Sequence, residues 1–269
     1  MIVGDLNILI GADPEKFVHD GKEFVCAHNM IKGTKEAPFS VLNGAVQVDG
    51  MAVEFNIDPA ANKDQFLNNL HTVMAQLDAM LPSHSTVACP TADFSVEVMG
   101  KAHPMALELG CEPDFNAWKD GCANPQPNGN VTFRTGAGHI HIGWASDMDI
   151  NDPEHIAVCS QVCKQLDLYL GVPSVIFDAD NRRRELYGKA GAMRVKPYGV
   201  EYRVLSNAWL ENTNLMEWVY DNTIKALSNL IDKGLEAGDE VVEVINTSDI
   251  RKARAICLNN NIQLPVGVA

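Results

Sequence analysis

Four short stretches of this chain place acids and imidazoles among side chains that otherwise suit β-strands. They are Gly11-Ala-Asp-Pro-Glu15, Val53-Glu-Phe-Asn56, Gly138-His-Ile-His-Ile-Gly143 and Val200-Glu-Tyr-Arg203. Side chains of a strand alternate between faces, so the spacing predicts that Asp13 and Glu15 share one face, as do His139 and His141, and Glu201 and Arg203. Carboxylates gathered on an inward face repel one another unless cations hold them, and Asp and Glu are rarely buried without partners. A sheet wall that binds divalent metal and phosphate answers that constraint.

With 269 residues, 46% hydrophobic and 21% charged, the chain can bury one large core. Its formal net charge of -14 argues against broad electrostatic binding to nucleic acid or to an anionic membrane. The acid surplus fits either a soluble surface or a set of metal-holding carboxylates. Met1-Ile-Val-Gly-Asp5 carries no basic leader and no apolar run reaches the roughly 20 residues of a membrane span, so a cytoplasmic protein is expected. Seven cysteines without a CxxC pair suit reduced thiols, and Cys159 with Cys163 reads as core filler.

Along the chain, residues 7–18 read as one strand with 23–27 as its hairpin partner, and 45–56 as a hairpin turning at Asp49-Gly50. Phe66, Leu67, Leu70, Val73, Met74, Leu77 and Met80 recur at helical spacing between Asn62 and Leu81 and give an apolar stripe to cover a sheet face. Residues 85–100 read as extended and 110–129 as a long loop. Residues 130–144 read as strand, glycine turn and strand, 153–170 as an amphipathic helix, and 200–205 as a strand. Helices follow at 214–234, 239–245 and 248–260, the last capped by Ser248. The expected class is α+β: an antiparallel sheet with acids on one face and helices on the other. The region 1–269 reads as a single unit, its sheet-bearing site within about 1–210 and a helical part from about 211 to 269.

Asp13, Glu15, Glu54 and Glu201 with His139 form an oxygen-rich donor set with one imidazole, suited to Mg²⁺ or Mn²⁺ rather than to structural zinc. The Arg134-Thr-Gly-Ala-Gly138 turn offers backbone amides and a guanidinium to an anion, or is only a turn. Residues 182–194 concentrate Arg182, Arg183, Arg184, Lys189 and Arg194 in a cation-poor protein, as a phosphate clamp or as a solvated basic loop. Asp114 and Asn116 either contact the amino or carboxyl groups of a substrate or make the Asx turns of an ordered loop. The GxxxxGK[ST] and GxSxG motifs are missing, and His19, His28, His71, His84, His103 and His155 read as surface or satisfied core histidines.

The ordered set GADPE, VEFN, RTGAGHIHIG, YGKAGAMR and VEYR resembles the carboxylate-amine ligases of the glutamine synthetase and glutamate-cysteine ligase superfamily, above all the phage-type branch called COOH-NH2 ligase type 2. The resemblance runs from about Gly11 to Trp209. It implies the curved antiparallel sheet of the glutamine synthetase catalytic domain with helices on its outer face, and two or three Mg²⁺ or Mn²⁺ ions. It also implies ATP-dependent amide or isopeptide formation through an acyl phosphate. By the same resemblance, Asp13, Glu15, Glu54, His139 and Glu201 are metal ligands, and His141 lies nearer to nucleotide phosphate or substrate. Arg203 and Arg194 contact phosphate, Arg194 together with Tyr187, Lys189 and one of the three adjacent arginines, for which Arg184 stands. Arg134, Arg194, Arg203 and His141 carry the catalytic roles.

The expected substrates are a small-molecule or peptide carboxylate and an amine, with a homo-oligomer as a further expectation and a host cytoplasm as the setting if the chain is phage-encoded. Competing readings are a small-molecule or guanidino kinase on the same fold, a metallohydrolase using the H-x-H pair, and a binding protein without catalysis. The apolar positions between Leu215 and Ile231 are either an interface or a packing layer.

Overall fold

Pro14 has no N–H to give a ladder, and it divides what the sequence reads as one strand into two that serve different sheets. The computed structural model describes residues 7–108, 114–124, 131–178 and 180–267. In chain order its strands are β1 (Leu9–Ala12), β2 (Glu15–His19), β3 (Phe24–Val25), β4 (Phe39–Val41), β5 (Gly44–Asp49), β6 (Ala52–Ile57) and β7 (Ser85–Val87). They continue with β8 (Thr91–Asp93), β9 (Phe115–Asn116), β10 (Cys122–Ala123), β11 (Phe133–Thr135), β12 (Ile140–Gly143), β13 (Ala192–Lys196) and β14 (Gly199–Tyr202).

One six-stranded sheet has the order β1-β12-β14-β13-β9-β10, a second runs β3-β2-β6-β5-β4 with β7 also on β2, and β8 pairs with β11. Every pairing is antiparallel, and the sheets curl into a half-barrel. Around Pro14 the Asp13 and Glu15 amides follow the His139 and Ala137 carbonyls, while the Pro14 carbonyl accepts from Phe55 of β6. The junction therefore stitches both sheets together at the point where the first acids stand.

Nine helices are described: α1 (Lys63–Ala79), α2 (Val96–Lys101), α3 (Pro104–Leu107), α4 (Pro153–Leu166), α5 (Val172–Phe177), α6 (Arg182–Leu186), α7 (Thr213–Lys233), α8 (Glu240–Thr247) and α9 (Ile250–Asn259). The side chain of Asn62 caps α1 by accepting from the Gln65 amide, and Phe66, Leu70, Val73 and Leu77 of its stripe are buried against β5 and β6. Each such side chain contributes roughly 1.5–3 kcal/mol. α4 covers β13 and β14, and α7 packs on α1 and α4. Leu215, Trp218, Val219, Ala226 and Leu227 are buried there, so within this chain the α7 stripe is a packing layer. No described helix is long and apolar enough to cross a membrane.

Several local expectations change. The β5–β6 turn centres on Gly50 and Met51, since Asp49 already pairs with Ala52, and only Gly50 takes a positive φ. Residues 85–100 are not simply extended: Ser95 caps α2 through the Val98 amide. Ser248 does not cap α9; it ends α8 in the left-handed region, and Asp249 accepts from the Lys252 amide. The long-loop expectation for 110–129 falls partly outside the described residues, and its described part forms β9, a 3-10 turn and β10. The α4 helix does not stop near Leu170 but runs through a π turn, Asp167–Gly171, into α5. Pro173 cannot donate to an α-type ladder, and the wider turn before it accommodates the lost bond.

Asp167 on that π turn is fully buried and gathers three donors: Trp118 Nε1 (2.7 Å), the Gly191 amide (2.7 Å) and Tyr202 Oη (2.8 Å). It thereby fixes the β9 region, the turn entering β13, and β14. Burial pushes its carboxyl up to about 7 against the pull of those donors. A raised folded value means that the native state holds a proton that the unfolded chain has released, so stability falls as pH rises from about 4 towards 7. Asp167→Asn preserves the two bonds to one oxygen and offers its NH2 to Tyr202. Urea denaturation is expected to find Asn equal to wild type near pH 4.5 and more stable at pH 8. Asp167→Ala should lose about 2–4 kcal/mol at pH 4.5 by stranding buried donors. An Asn variant weaker than wild type at pH 8 would contradict this account.

Candidate active site

At the β12–β14 pairing, His141 stands opposite Glu201, and Arg194 of β13 stands opposite Glu201 on the other side. Alternation carries His139 and Arg203 to the same face. Asp13 arrives from the Pro14 junction, and its Oδ1 lies 3.0 Å from His141 Nε2 and 3.3 Å from His139 Nδ1. Glu201, 0% exposed, completes the group with Oε1 3.4 Å from His139 Nδ1.

Three cations converge on the Glu201 carboxylate. Arg203 Nη1 donates to Oε1, while Lys196 Nζ and Arg194 Nη1 lie 3.0 Å and 3.4 Å from Oε2. Arg203 is itself anchored by Asp114, whose Oδ1 accepts from Nε at 2.5 Å. Burial and the Asp13 charge oppose ionisation of Glu201, but Arg203 and the two imidazoles prevail and hold its carboxyl at about 2. Asp13 behaves alike: burial pushes it up, and His141 and His139 bring it well below the usual carboxylate range.

Asp13, His141 and Glu201 offer three donor atoms within 4.8 Å of one another, the cation-capable group among the described residues. Asp13 Oδ1 and His141 Nε2 are both buried without a hydrogen-bond partner despite lying 3.0 Å apart. Two orphaned lone-pair donors beside a buried carboxylate fit a divalent cation, and the oxygen and imidazole mixture suits Mg²⁺ or Mn²⁺. His139, expected as the ligand of the H-x-H pair, touches Asp13 and Glu201 through Nδ1 but also lies 3.4 Å from Arg203 Nη1. The geometry brings His141 into the donor set.

Asp13 and Glu15 do not share a cavity, because the chain turns between them. Asp13 lines a cavity of about 480 Å³ with Gln47, Glu54, His141 and Tyr198. Glu15 lines a smaller one of about 80 Å³ with Asp49, Asp114, His139, Tyr187 and Arg203. Glu54 pairs with Glu15 across β2 and β6 and accepts from Gln47 Nε2 at 2.8 Å. Burial, then Asp13, Asp49 and Glu15, push the Glu54 carboxyl well above its ordinary value. Burial and Asp49 push Glu15 up to about 7, although the Ala137 amide donates to it. Two carboxyls this reluctant to ionise would gain from a nearby cation.

The glycine turn does not present amides to an anion. The Gly136, Ala137 and Gly138 N–H groups donate to the Pro90 carbonyl, the Glu15 carboxylate and the Leu205 carbonyl. Its glycines serve close approach: a Cβ on Gly138 would meet the Ser206 carbonyl at 2.3 Å and Trp209 Nε1 at 2.4 Å. Arg134 is committed to the carbonyls of Val131, Phe133 and Leu107, although it lines the smaller cavity. Asn116 is buried, with its amide spent on Asn124, Ala190 and the Trp118 N–H, which is the ordered-loop alternative. Its neighbour Asp114 reaches the site.

The three adjacent arginines part company because successive helical residues point about 100° apart. Arg182 binds Asp93, Asp180 and Thr91. Arg183 donates to the carbonyls of Val204 and Leu205 and holds the chain just after Arg203. Arg184 is buried against Ser174 and Asp178 and, with Lys189, lines a separate pocket beside Asn246 and Ser248. Tyr187 lines the smaller cavity, and Arg194 sits at Glu201. Lys196 and Tyr198 belong to the site but were missed. The Arg194-Val-Lys196 alternation signals Lys196; nothing in the sequence marks Tyr198, whose hydroxyl lies 2.5 Å from His141 Nδ1.

This H-x-H strand, the adjacent Glu201 strand and the basic strand between residues 192 and 196 all fall in the part of the chain that known families recognise. Residues 126–256 match the model of the family described as phage phiEco32-like COOH.NH2 ligase-type 2. The match to this ligase-type 2 family supports the resemblance read from the sequence. It spans a little under half of the chain, from just before Arg134 into α9, and leaves Asp13, Glu15 and Glu54 upstream. No curated protein matches the chain.

Glu201→Gln removes the negative charge shared by Arg203, Lys196, Arg194 and His139. With divalent ions chelated it should cost about 3 kcal/mol or more at pH 7. A depressed folded value makes this contribution complete above the unfolded value near 4.5 and lost as pH falls towards about 2. The gap between wild type and variant in urea denaturation should therefore narrow between pH 5 and pH 3. A gap that stays constant would show that Glu201 is not held as the buried anion described.

Proposed function

We propose that the chain is an ATP-dependent carboxylate-amine ligase, built as one catalytic unit on a curved sheet of the glutamine synthetase type. The observation that carries this reading is the pairing, within one buried cluster, of orphaned metal donors at Asp13 and His141 with three cations at Glu201. The ligase-type 2 family match over residues 126–256 supports it. Asp13, His141 and Glu201 would hold Mg²⁺ or Mn²⁺, with His139, Glu15 and Glu54 beside them as further donors. The bound ions would neutralise phosphate oxygens as charge shifts during phosphoryl transfer.

A carboxylate is a poor electrophile. In the proposed reaction one of its oxygens attacks the terminal phosphorus of ATP and ADP departs; the amine nitrogen then attacks the acyl carbon, phosphate leaves and the nitrogen gives up a proton. Arg194, Lys196 and Arg203 are poised to stabilise phosphoryl charge, and Glu201 keeps their side chains gathered. Tyr187 and Asp114, on the wall of the smaller cavity with Arg203, are placed to meet the carboxylate substrate or nucleotide. Arg134, Arg183 and Arg184, bonded to backbone or buried partners, support the walls. The amine and the carboxylate would be diffusible small molecules or peptides of the cytoplasm.

Phosphorus NMR with ATP, Mg²⁺, pooled carboxylates and hydroxylamine tests this function. Formation of ADP and inorganic phosphate that depends on both carboxylate and amine is expected, and Asp13→Asn should slow it at least a hundredfold with an unchanged melting temperature. A new phosphorus signal that persists with amine present would favour the kinase reading, and hydrolysis without ATP would favour the metallohydrolase.

A further inference from the structure

Tyr198 stands in the two-residue turn between β13 and β14, and its carbonyl accepts from the Trp144 and Ala145 amides at 2.9 and 3.2 Å. These bonds tie the turn to the end of β12, the strand that carries His141. The phenol reaches back along the sheet to place Oη 2.5 Å from His141 Nδ1. Both side chains line the 480 Å³ cavity.

The other ring nitrogen has a different setting. His141 Nε2 is buried and has Asp13 Oδ1 3.0 Å away, yet the two are not aligned for a hydrogen bond. A neutral imidazole carries one proton, on one nitrogen or the other. On Nε2 that proton would lack an aligned acceptor in a buried place. On Nδ1 it meets the Tyr198 oxygen, because a phenolic hydroxyl accepts as well as donates.

We infer that Tyr198 is a positioning residue that holds His141 as its Nδ1–H tautomer, so that the Nε2 lone pair joins Asp13 and Glu201 in binding a divalent cation. Hydrogen bonding at the far nitrogen is how ligating histidines are commonly oriented. The inference rests on the metal-centre part of the proposed function and adds to it a residue that need not touch substrate, nucleotide or metal.

Two measurements test it on the full chain. Long-range proton–nitrogen NMR of histidine-labelled, metal-free wild type at pH 8 should show His141 protonated at Nδ1 alone. Electron paramagnetic resonance titration with Mn²⁺ should show Tyr198→Phe binding about ten- to a hundredfold more weakly than wild type, with the same melting temperature. Protonation at Nε2, a doubly protonated ring, or equal Mn²⁺ affinity in the two proteins would overturn the assignment. The tautomer measurement uses wild type, so it decides even if the variant folds poorly. Wild type that binds no Mn²⁺ would remove both this role and the metal centre. Mn²⁺ binding weakened by Tyr198→Phe, with no amine-dependent ATP turnover in wild type, would leave the Tyr198 role standing and remove the ligase reading.

Discussion

Glu201 is a charge buried without water, and the rest of the site is arranged around the need to keep it ionised. A lone carboxylate in that position would neutralise itself by taking a proton. Arg203, Lys196, Arg194 and His139 prevent this, each supplied by a neighbouring strand or by the same strand two residues on. The register of β12, β13 and β14 is therefore tied to electrostatics: a slip of one residue would turn Glu201 towards the helices and leave its cations facing one another. Asp167 reinforces the same register from behind by holding Tyr202 and the Gly191 turn.

The Pro14 junction performs a second task, bringing acids from a different sheet to this cluster. Asp13 meets the imidazoles on one side, and Glu15 faces the smaller cavity on the other, with Glu54 paired opposite Glu15. A continuous strand would have left both acids on one face. The break instead spreads carboxylates around the cluster and into two cavities.

The sequence made legible whatever depends on local periodicity. The 45–56 hairpin, the α1 stripe and the α7 stripe follow from alternation and helical spacing, as does the approach of His139 and His141 to a common acid. What local pattern does not encode is where a polar group finds its partner. Arg182, Arg183 and Arg184 look like one basic patch, yet each turns to a different neighbourhood and none joins Glu201. The glycine turn looks like an anion cradle, but its amides are taken by residues from distant parts of the chain. Asn116 likewise spends its amide on the loop around it. Tyr198 was invisible because its meaning comes from a contact across 57 positions, and a lone tyrosine in a turn carries no pattern.

The charge layout of the cluster gives it a direction. On the Asp13 side lie acids and imidazoles, with orphaned donors that suit a metal ion. On the Lys196 and Arg194 side lie cations, of which Glu201 neutralises only one unit of charge. Glu201 sits at the boundary, near the metal donors through Oε1 and near Lys196 and Arg194 through Oε2. A phosphoryl group lying along that boundary would meet metal on one flank and ammonium or guanidinium groups on the other, without any group needing to move far. Such prior arrangement of opposite charges in a dry site is where electrostatic stabilisation of a transferring group is strongest. An isolated acidic patch or an isolated basic loop would not provide it, and for that reason the pairing of the two, rather than either alone, gives the site its chemical meaning.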